Sequence, residues 1–416
     1  MSTVAPLQED RFAAFRHGAY RRYFWARFLT SSATQIVSVA VGYQLYDETG
    51  SKLLLGLLGL VQFLPALLLV LVTGLASDKF GRRRVMGGAI LMEMICALTI
   101  TALALVGRFD PVIVLTALTV FGTARAFYSP AASSLVVNVV PKADFANAVG
   151  WVTLSWQLAS IVGASLGGVL LFFLGAYAYG VAAVIFAVAA VMIFSIPKPN
   201  QTLETDPANW QTIVGGFRYI WQQKIVLGAI SLDLFAVLLG GAVALLPVYA
   251  KDILEVGSIG NGLLRAAPGV GAILMIGALI RFPIRDYAGT ILLVTVAMFG
   301  AATAVFGVSK LAWLSILALG LVGAFDMISV YIREILMQLW TPDRMRGRVN
   351  AVNSIFLGAS NELGEARAGF MAAKWGAVFT VAAGGAAAVG VSMICAGLFP
   401  GLRKARSLDK MNDGAG

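Results

Sequence analysis

The chain has 416 residues, 59% hydrophobic and 12% charged, with a mean hydropathy of +0.84. Soluble domains are about 45–50% apolar and about 25% charged, so no soluble core could hide this much apolar side chain and lipid must be its solvent. One histidine and two cysteines leave no disulfide framework and no His-based metal or catalytic cluster, so neither metal nor cofactor is expected.

The start, MSTVAPLQEDRFAAFRHGAYRRYF, has no apolar run followed by a cleavage site, and no cleaved signal peptide is expected. A spanning helix needs about 20 mostly apolar residues. Twelve such stretches follow, at 23–46, 53–76, 85–106, 111–134, 145–171, 176–196, 226–250, 259–281, 289–308, 311–338, 349–373 and 376–399. Span 1 carries Ser31, Gln35 and Ser38 at helical spacing, a polar stripe suited equally to ligand contact and to helix–helix hydrogen bonding. Most connections are short. The exception, 197–225, opens with Pro, Asn, Thr and acids, then spaces Trp210, Ile213, Phe217 and Ile220 like one apolar helix face, which reads as a cytoplasmic linker with an interfacial amphipathic helix. The expected organisation is a six-helix bundle over 1–196, the linker, a second bundle over 226–400 and a tail over 401–416.

Placing both termini in the cytoplasm puts twenty-one Lys and Arg on the inner side and five in the outer loops. The positive-inside rule favours that orientation. It also explains the net charge of +10 without nucleic acid, with anionic lipid headgroups as the counter-charge. DKFG at Asp78 and DYAG at Asp286 lie 208 residues apart, half the chain length, each between the second and third spans of its half. Two six-span halves with substrate held between them near midplane are a transporter plan.

GLASDKFGRRR, 74–84, gathers charge in a greasy chain. Gly81 permits a tight positive-φ turn, the arginines suit headgroups and helix C-termini, and Asp78 can cap or bridge a neighbouring helix. The stretch resembles the loop signature of the major facilitator superfamily, with Gly74, Asp78, Gly81, Arg82 and Arg84 in register; the resemblance implies a latch that holds one conformation closed on the cytoplasmic side. ASIVGASLGG, 159–168, resembles that superfamily's antiporter motif at Gly163, Gly167 and Gly168, with Ala159 and Ala164 replacing its first glycine and its proline, and implies export. Small residues at this spacing let helices approach closely. FGTARAFYSPAASSL on span 4 is similar to the G-x-g…P element at Gly122 and Pro130; the arginine usual four residues before that glycine is Leu118 here, and Arg125 stands three residues after it. Residues 341–369 resemble the subgroup containing the enterobactin exporter and the macrolide efflux proteins. The fold implied is an all-α integral membrane protein, twelve transmembrane helices in two pseudo-symmetric six-helix bundles.

A charge at the bilayer centre costs about 2.5–3.5 kcal/mol, so each is a functional candidate. Counting about 1.5 Å per residue puts Glu93, Arg125, Asp233, Asp326 and Glu362 near midplane. The resemblance places spans 1, 4, 7 and 10 around the cavity, which favours Arg125, Asp233 and Asp326, and leaves Glu93 on span 3 as a structural charge. Glu362 and Glu365 share one face of span 11, with Arg367 near enough in sequence to pair. Asp233 leads the proton-coupling candidates, before Asp326, Glu362 and Glu365; a static salt bridge is the alternative for the two aspartates. Arg333 and Glu334 read as gate or packing charges. Arg125 suits an anionic or catechol-like group, with Gln35, Phe127, Tyr128 and Trp156 as further substrate candidates; plain packing is the alternative for the aromatics.

No G-x-x-x-x-G-K-[ST] string occurs, so ATP is not expected as the direct energy source. GASLG at 163–167 matches G-x-S-x-G but lies mid-span, far in sequence from His17, so Ser165 is not expected to act as a nucleophile and no enzyme is expected. The expectation is a monomeric secondary active exporter in a bacterial inner membrane, moving a medium-sized amphiphilic or anionic small molecule against protons. Siderophore export is favoured, multidrug or macrolide efflux is the alternative, and an uptake symporter is third.

Overall fold

The computed structural model describes residues 12–198, 210–282, 284, 286–341 and 343–403. Helices α1 (Gly18–Thr49), α2 (Lys52–Phe80), α3 (Arg82–Leu105), α4 (Pro111–Val139), α5 (Phe145–Leu174) and α6 (Tyr177–Phe194) form the first bundle. Their ends follow from local chemistry. Gly50 ends α1 at φ 61°, the Ser51 hydroxyl accepts from the Leu54 N–H at 3.4 Å to start α2, and Asp110 caps α4 ahead of Pro111. Gly81, at φ 88°, makes the turn between α2 and α3 that the sequence called for. In the second half that position is taken by Tyr287, at φ 57°, so DYAG turns on its second residue where DKFG turns on its fourth.

The linker helix α7 (Trp210–Gln222) leads to α8 (Lys224–Gly240), α9 (Leu246–Val248), α10 (Gly257–Arg281), α11 (Ala288–Val308), α12 (Ala312–Trp340), α13 (Asp343–Trp375), α14 (Ala377–Leu398) and α15 (Pro400–Arg403). Residues 199–209 of the expected linker lie outside the described residues, as do the side chains of Trp210 and Ile213. On α7, Ile220 is buried and Phe217 meets Phe356 of α13 at 5.6 Å, so this face packs on the protein; Trp221 is the more exposed side chain.

One expectation is corrected. The seventh span is not one helix: it stops at Gly240, resumes as a 3-10 turn from Val243 and ends in a π-turn at Tyr249–Ile253. The Gly240–Gly241 pair weakens the helix there, and Pro247 cannot donate into a preceding turn. The twelve-helix layout stands: among the described residues ten helices are by length and apolar composition able to cross a membrane, and α1 and α13, of 32 and 33 residues, complete the set at lower hydropathy. Both carry polar residues toward the molecular centre, which lowers their mean hydropathy without shortening them.

Within the halves, α1 packs on α5 and α6, α2 on α4, α11 on α14, and α10 on α12. Between them run two seams, α5 against α10 and α2 against α13. A two-fold relation of the halves exchanges these pairs. Both seams are built on missing side chains: a Cβ at Gly262 would lie 2.7 Å from the Ala164 carbonyl oxygen, and one at Gly56 would lie 2.8 Å from that of Ala366. Both contacts are near the ends of α2 and α10 that adjoin Lys52 and Gly257. There Tyr46 also donates to Asp252, and Lys251 meets Asp47 at 2.5 Å. The seams continue inward to Phe63 against Gly358 and Ile161 against Gly269.

Candidate functional site

Where the halves meet, α1, α2, α4, α10, α13 and the 243–247 turn enclose a cavity of about 150 Å³. Its charged lining is Arg125 from α4, Arg265 from α10, and Glu362 and Glu365 from α13, with Gln35, Gln62 and Asn261 beside them. Two glycines make room. A Cβ at Gly59 would lie 2.7 Å from Glu362 Oε2 and 3.0 Å from Glu365 Oε2. A Cβ at Gly122 would lie 2.6 Å from Gln62 Cα, so α2 sits directly on the turn of α4 that carries Arg125.

Arg125 and Arg265 both act electrostatically on Glu362 and Glu365. Among the described residues, none of the four forms an ion pair within 4.0 Å. The formal charges balance while the groups stay apart, and Arg125 is accessible from the cavity rather than buried. Such an arrangement has donors free for an anionic or hydroxyl-rich ligand and carboxylates free to exchange a proton.

The other sequence candidates lie elsewhere. Asp233 on α8 is committed to Arg333 on α12 in an ion pair whose side chains are 8% and 2% exposed, with Asp326 nearby. Neither aspartate lines the cavity, because α8 and the inner part of α12 pack among themselves inside the second half. Arg367 does not pair with the α13 glutamates. It donates to the Leu239 carbonyl at 2.6 Å, an acceptor at the open C-terminal end of α8. Glu93 is buried in the first bundle and feels Arg125. Tyr128 turns inward toward Arg27 and Thr30, Phe127 is absent from the lining, and Trp156 is 52% exposed about two turns along α5 from Gly163.

Of the small-residue motif, Gly163 and Gly167 receive α1 and Gly168 receives α10. In the charged loop, Arg82 donates to the Ser134 carbonyl at 3.0 Å and to Asn138 Oδ1 at 2.9 Å, and Arg83 to the carbonyls of Phe194 and Ile196, near the C-termini of α4 and α6. Arg84 is exposed. The side chain of Asp78 and the surroundings of Gly74 lie outside the described residues. Cys96 and Cys395 are buried free thiols, and among the described residues no cluster could hold a metal ion.

Arg265, Gln62 and Asn261 were missed as site residues in the sequence. Arg265 carries the signal that selected Arg125, a cation inside an apolar span.

A family of transmembrane secretion effectors matches residues 9–413. The enterobactin exporter EntS of Citrobacter koseri is 25% identical over 406 residues, 96% of each chain. Its counterpart from Shigella boydii is 26% identical over 386 residues, covering 91% of this chain and 90% of the exporter. Among solved structures, a bacterial homolog of the human lysosomal transporter Spinster in an inward-facing, occupied conformation superposes with a TM-score of 0.71 at 13% identity, covering 95% of this chain and 98% of that one. A D-xylose–proton symporter superposes at 0.69, also at 13% identity, covering 90% and 96%. With two six-helix halves closing on a charged central cavity, this multi-pass membrane protein belongs to the transmembrane secretion effector family of major facilitator transporters.

Proposed function

We propose that the chain is a secondary active exporter that carries a medium-sized amphiphilic small molecule by alternating access, coupled to protons through Glu362 and Glu365. The observation that supports it is the central cavity, where Arg125 of the first half faces Arg265, Glu362 and Glu365 of the second without direct pairing. When the halves rock, the distance between Arg125 and the glutamates changes, and with it the balance between ionised and protonated carboxylate. With both termini cytoplasmic, the seams at Gly56 and Gly262 close the outer side, and the cavity is reached from within.

A siderophore is the favoured cargo. Its supports are the two arginines, which suit catechol or carboxylate oxygens, and the similarity to enterobactin exporters over nearly the whole chain. A second reading, efflux of cationic drugs or macrolides, is favoured by the glutamate pair, which suits a protonated amine equally well.

The test is a deletion strain assayed for siderophore in the medium and for drug sensitivity, alongside proteoliposomes supplied only with a pH gradient. Less external siderophore and unchanged drug sensitivity support the first reading. The reverse pattern supports the second. Proteoliposomes that move neither class against a gradient overturn proton-coupled export.

A further inference from the structure

A second cavity, of about 490 Å³, lies on α5, α10 and α12 away from the charged centre. That volume falls within the roughly 300–1,000 Å³ of ligand pockets. Its lining is apolar apart from the Ser165 hydroxyl. The floor is made of small residues, including Gly271, Gly320 and Ala324, where α10 and α12 cross closely. Leu274 and Leu317 stand beside it, 70% and 53% exposed. These are membrane-spanning helices, so the open side faces hydrocarbon, not water.

The groove has the length of one leaflet. It runs from Ile316 to Ala324 along α12 and from Leu263 to Met275 along α10. At about 1.5 Å per residue these stretches are roughly 12 and 18 Å, against about 15 Å for half the hydrocarbon core of a bilayer. It also begins at the right depth, since Ile316 is four residues inside α12, about 6 Å below its start. Just beyond that start lies exposed Lys310, and Trp313, 64% exposed, sits in the first turn. A tryptophan and a lysine there mark headgroup level.

We propose that this groove binds one acyl chain of an anionic phospholipid from the leaflet at the Lys251 end, with the lipid phosphate at Lys310. The chain would pack directly behind the α5–α10 seam. Arg265 lines the charged cavity while its neighbour Ala266 lines the groove, and Ala266 packs in one cluster with Val39 of the cavity wall, Ala164 and Ile161. A chain seated there supports the seam that must part when the transporter opens.

The test uses the wild-type protein in vesicles doped with phosphatidylglycerol that carries a photoreactive diazirine in its acyl chain. Adducts are mapped by peptide mass spectrometry. They are expected to concentrate on Leu274, Leu317 and Leu321 over the equally lipid-exposed Val184, Val188 and Val191 of α6. Even labelling of both faces overturns the site. Gly320→Leu fills the floor at a position where a Cβ meets only the Ala267 carbonyl oxygen, at 3.8 Å. It should cut groove labelling about tenfold, the equivalent of roughly two methylenes no longer buried, and leave α6 labelling unchanged. Lys310→Gln should remove the preference for phosphatidylglycerol over a phosphatidylcholine carrying the same diazirine. Unchanged labelling in folded Gly320→Leu protein overturns the proposal. So does displacement of the lipid by transported cargo, which would make the groove a substrate site.

Discussion

Glu362 and Glu365 project from adjacent turns of α13 into one cavity, and both side chains end against Gly59. Conversion to glutamine keeps their size and removes their exchangeable charge. The Glu362→Gln, Glu365→Gln double variant is therefore expected to lose accumulation driven by a pH gradient while keeping substrate exchange in proteoliposomes. Uphill transport by the double variant would remove these residues from coupling. Arg125→Ala takes away charge-assisted hydrogen bonds of about 1.5–3 kcal/mol, so substrate affinity should fall about 10- to 100-fold, with partial recovery in Arg125→Lys, as read by equilibrium binding. Asp233 carries a different expectation. Its partner Arg333 is nearly inaccessible, so Asp233→Ala leaves a buried cation unpaired and should destabilise the protein by about 3–5 kcal/mol. The readout is thermal unfolding in detergent, with pH-driven transport per folded molecule preserved.

At the scale of the helix, the seventh span is two pieces joined at Gly240–Gly241, and the break exposes carbonyls at the end of α8. Arg367 supplies one of the missing donors by reaching the Leu239 oxygen. Arg367→Met keeps much of the side-chain length but leaves that carbonyl without this donor, at a cost of about 1–3 kcal/mol that should appear as a lower unfolding temperature. The seam helices depend on shape instead. At Gly262 any side chain meets the backbone of α5, which cannot yield as a rotamer can. Gly262→Leu should therefore disfavour the state with the Lys251 end closed. Spin labels on α1 and α10 at that end should report longer distances than in the parent, and unchanged distances would remove the seam from control of closure.

For the whole molecule, closure at the Lys251 end adds polar contacts to the two seams: Tyr46 to Asp252 and Lys251 to Asp47. The second pair is partly exposed, with side chains 36% and 51% accessible, and exposed pairs contribute only about 0–1 kcal/mol. Lys251→Gln should shift the open-to-closed ratio by no more than about fivefold, measured as thiol accessibility of a cysteine placed in the cavity. A much larger shift would mean that the ion pair, rather than backbone packing at Gly56 and Gly262, holds the end shut.

The twelve helices, the two halves and the turn at Gly81 were legible in the sequence, because each depends on composition or spacing within about 30 residues: apolar length, a cap, a glycine where φ must be positive. The presence of charges in the spans was equally legible, since burying a charge in hydrocarbon is costly wherever it stands. Which charges share a cavity was not. Asp233 and Glu362 have similar depth and chemistry, yet one is tied to Arg333 across α8 and α12 while the other faces Arg125 across the two halves. Hydropathy records how deep a residue lies and nothing about which way the helix is turned. The rotation of α8, α10 and α13 about their own axes is set by packing against partners remote in sequence, at contacts such as Gly59 on Glu362 and Gly262 on Ala164. For that reason Arg265 and the glutamate pair became the centre of the site only once the tertiary structure had fixed those rotations.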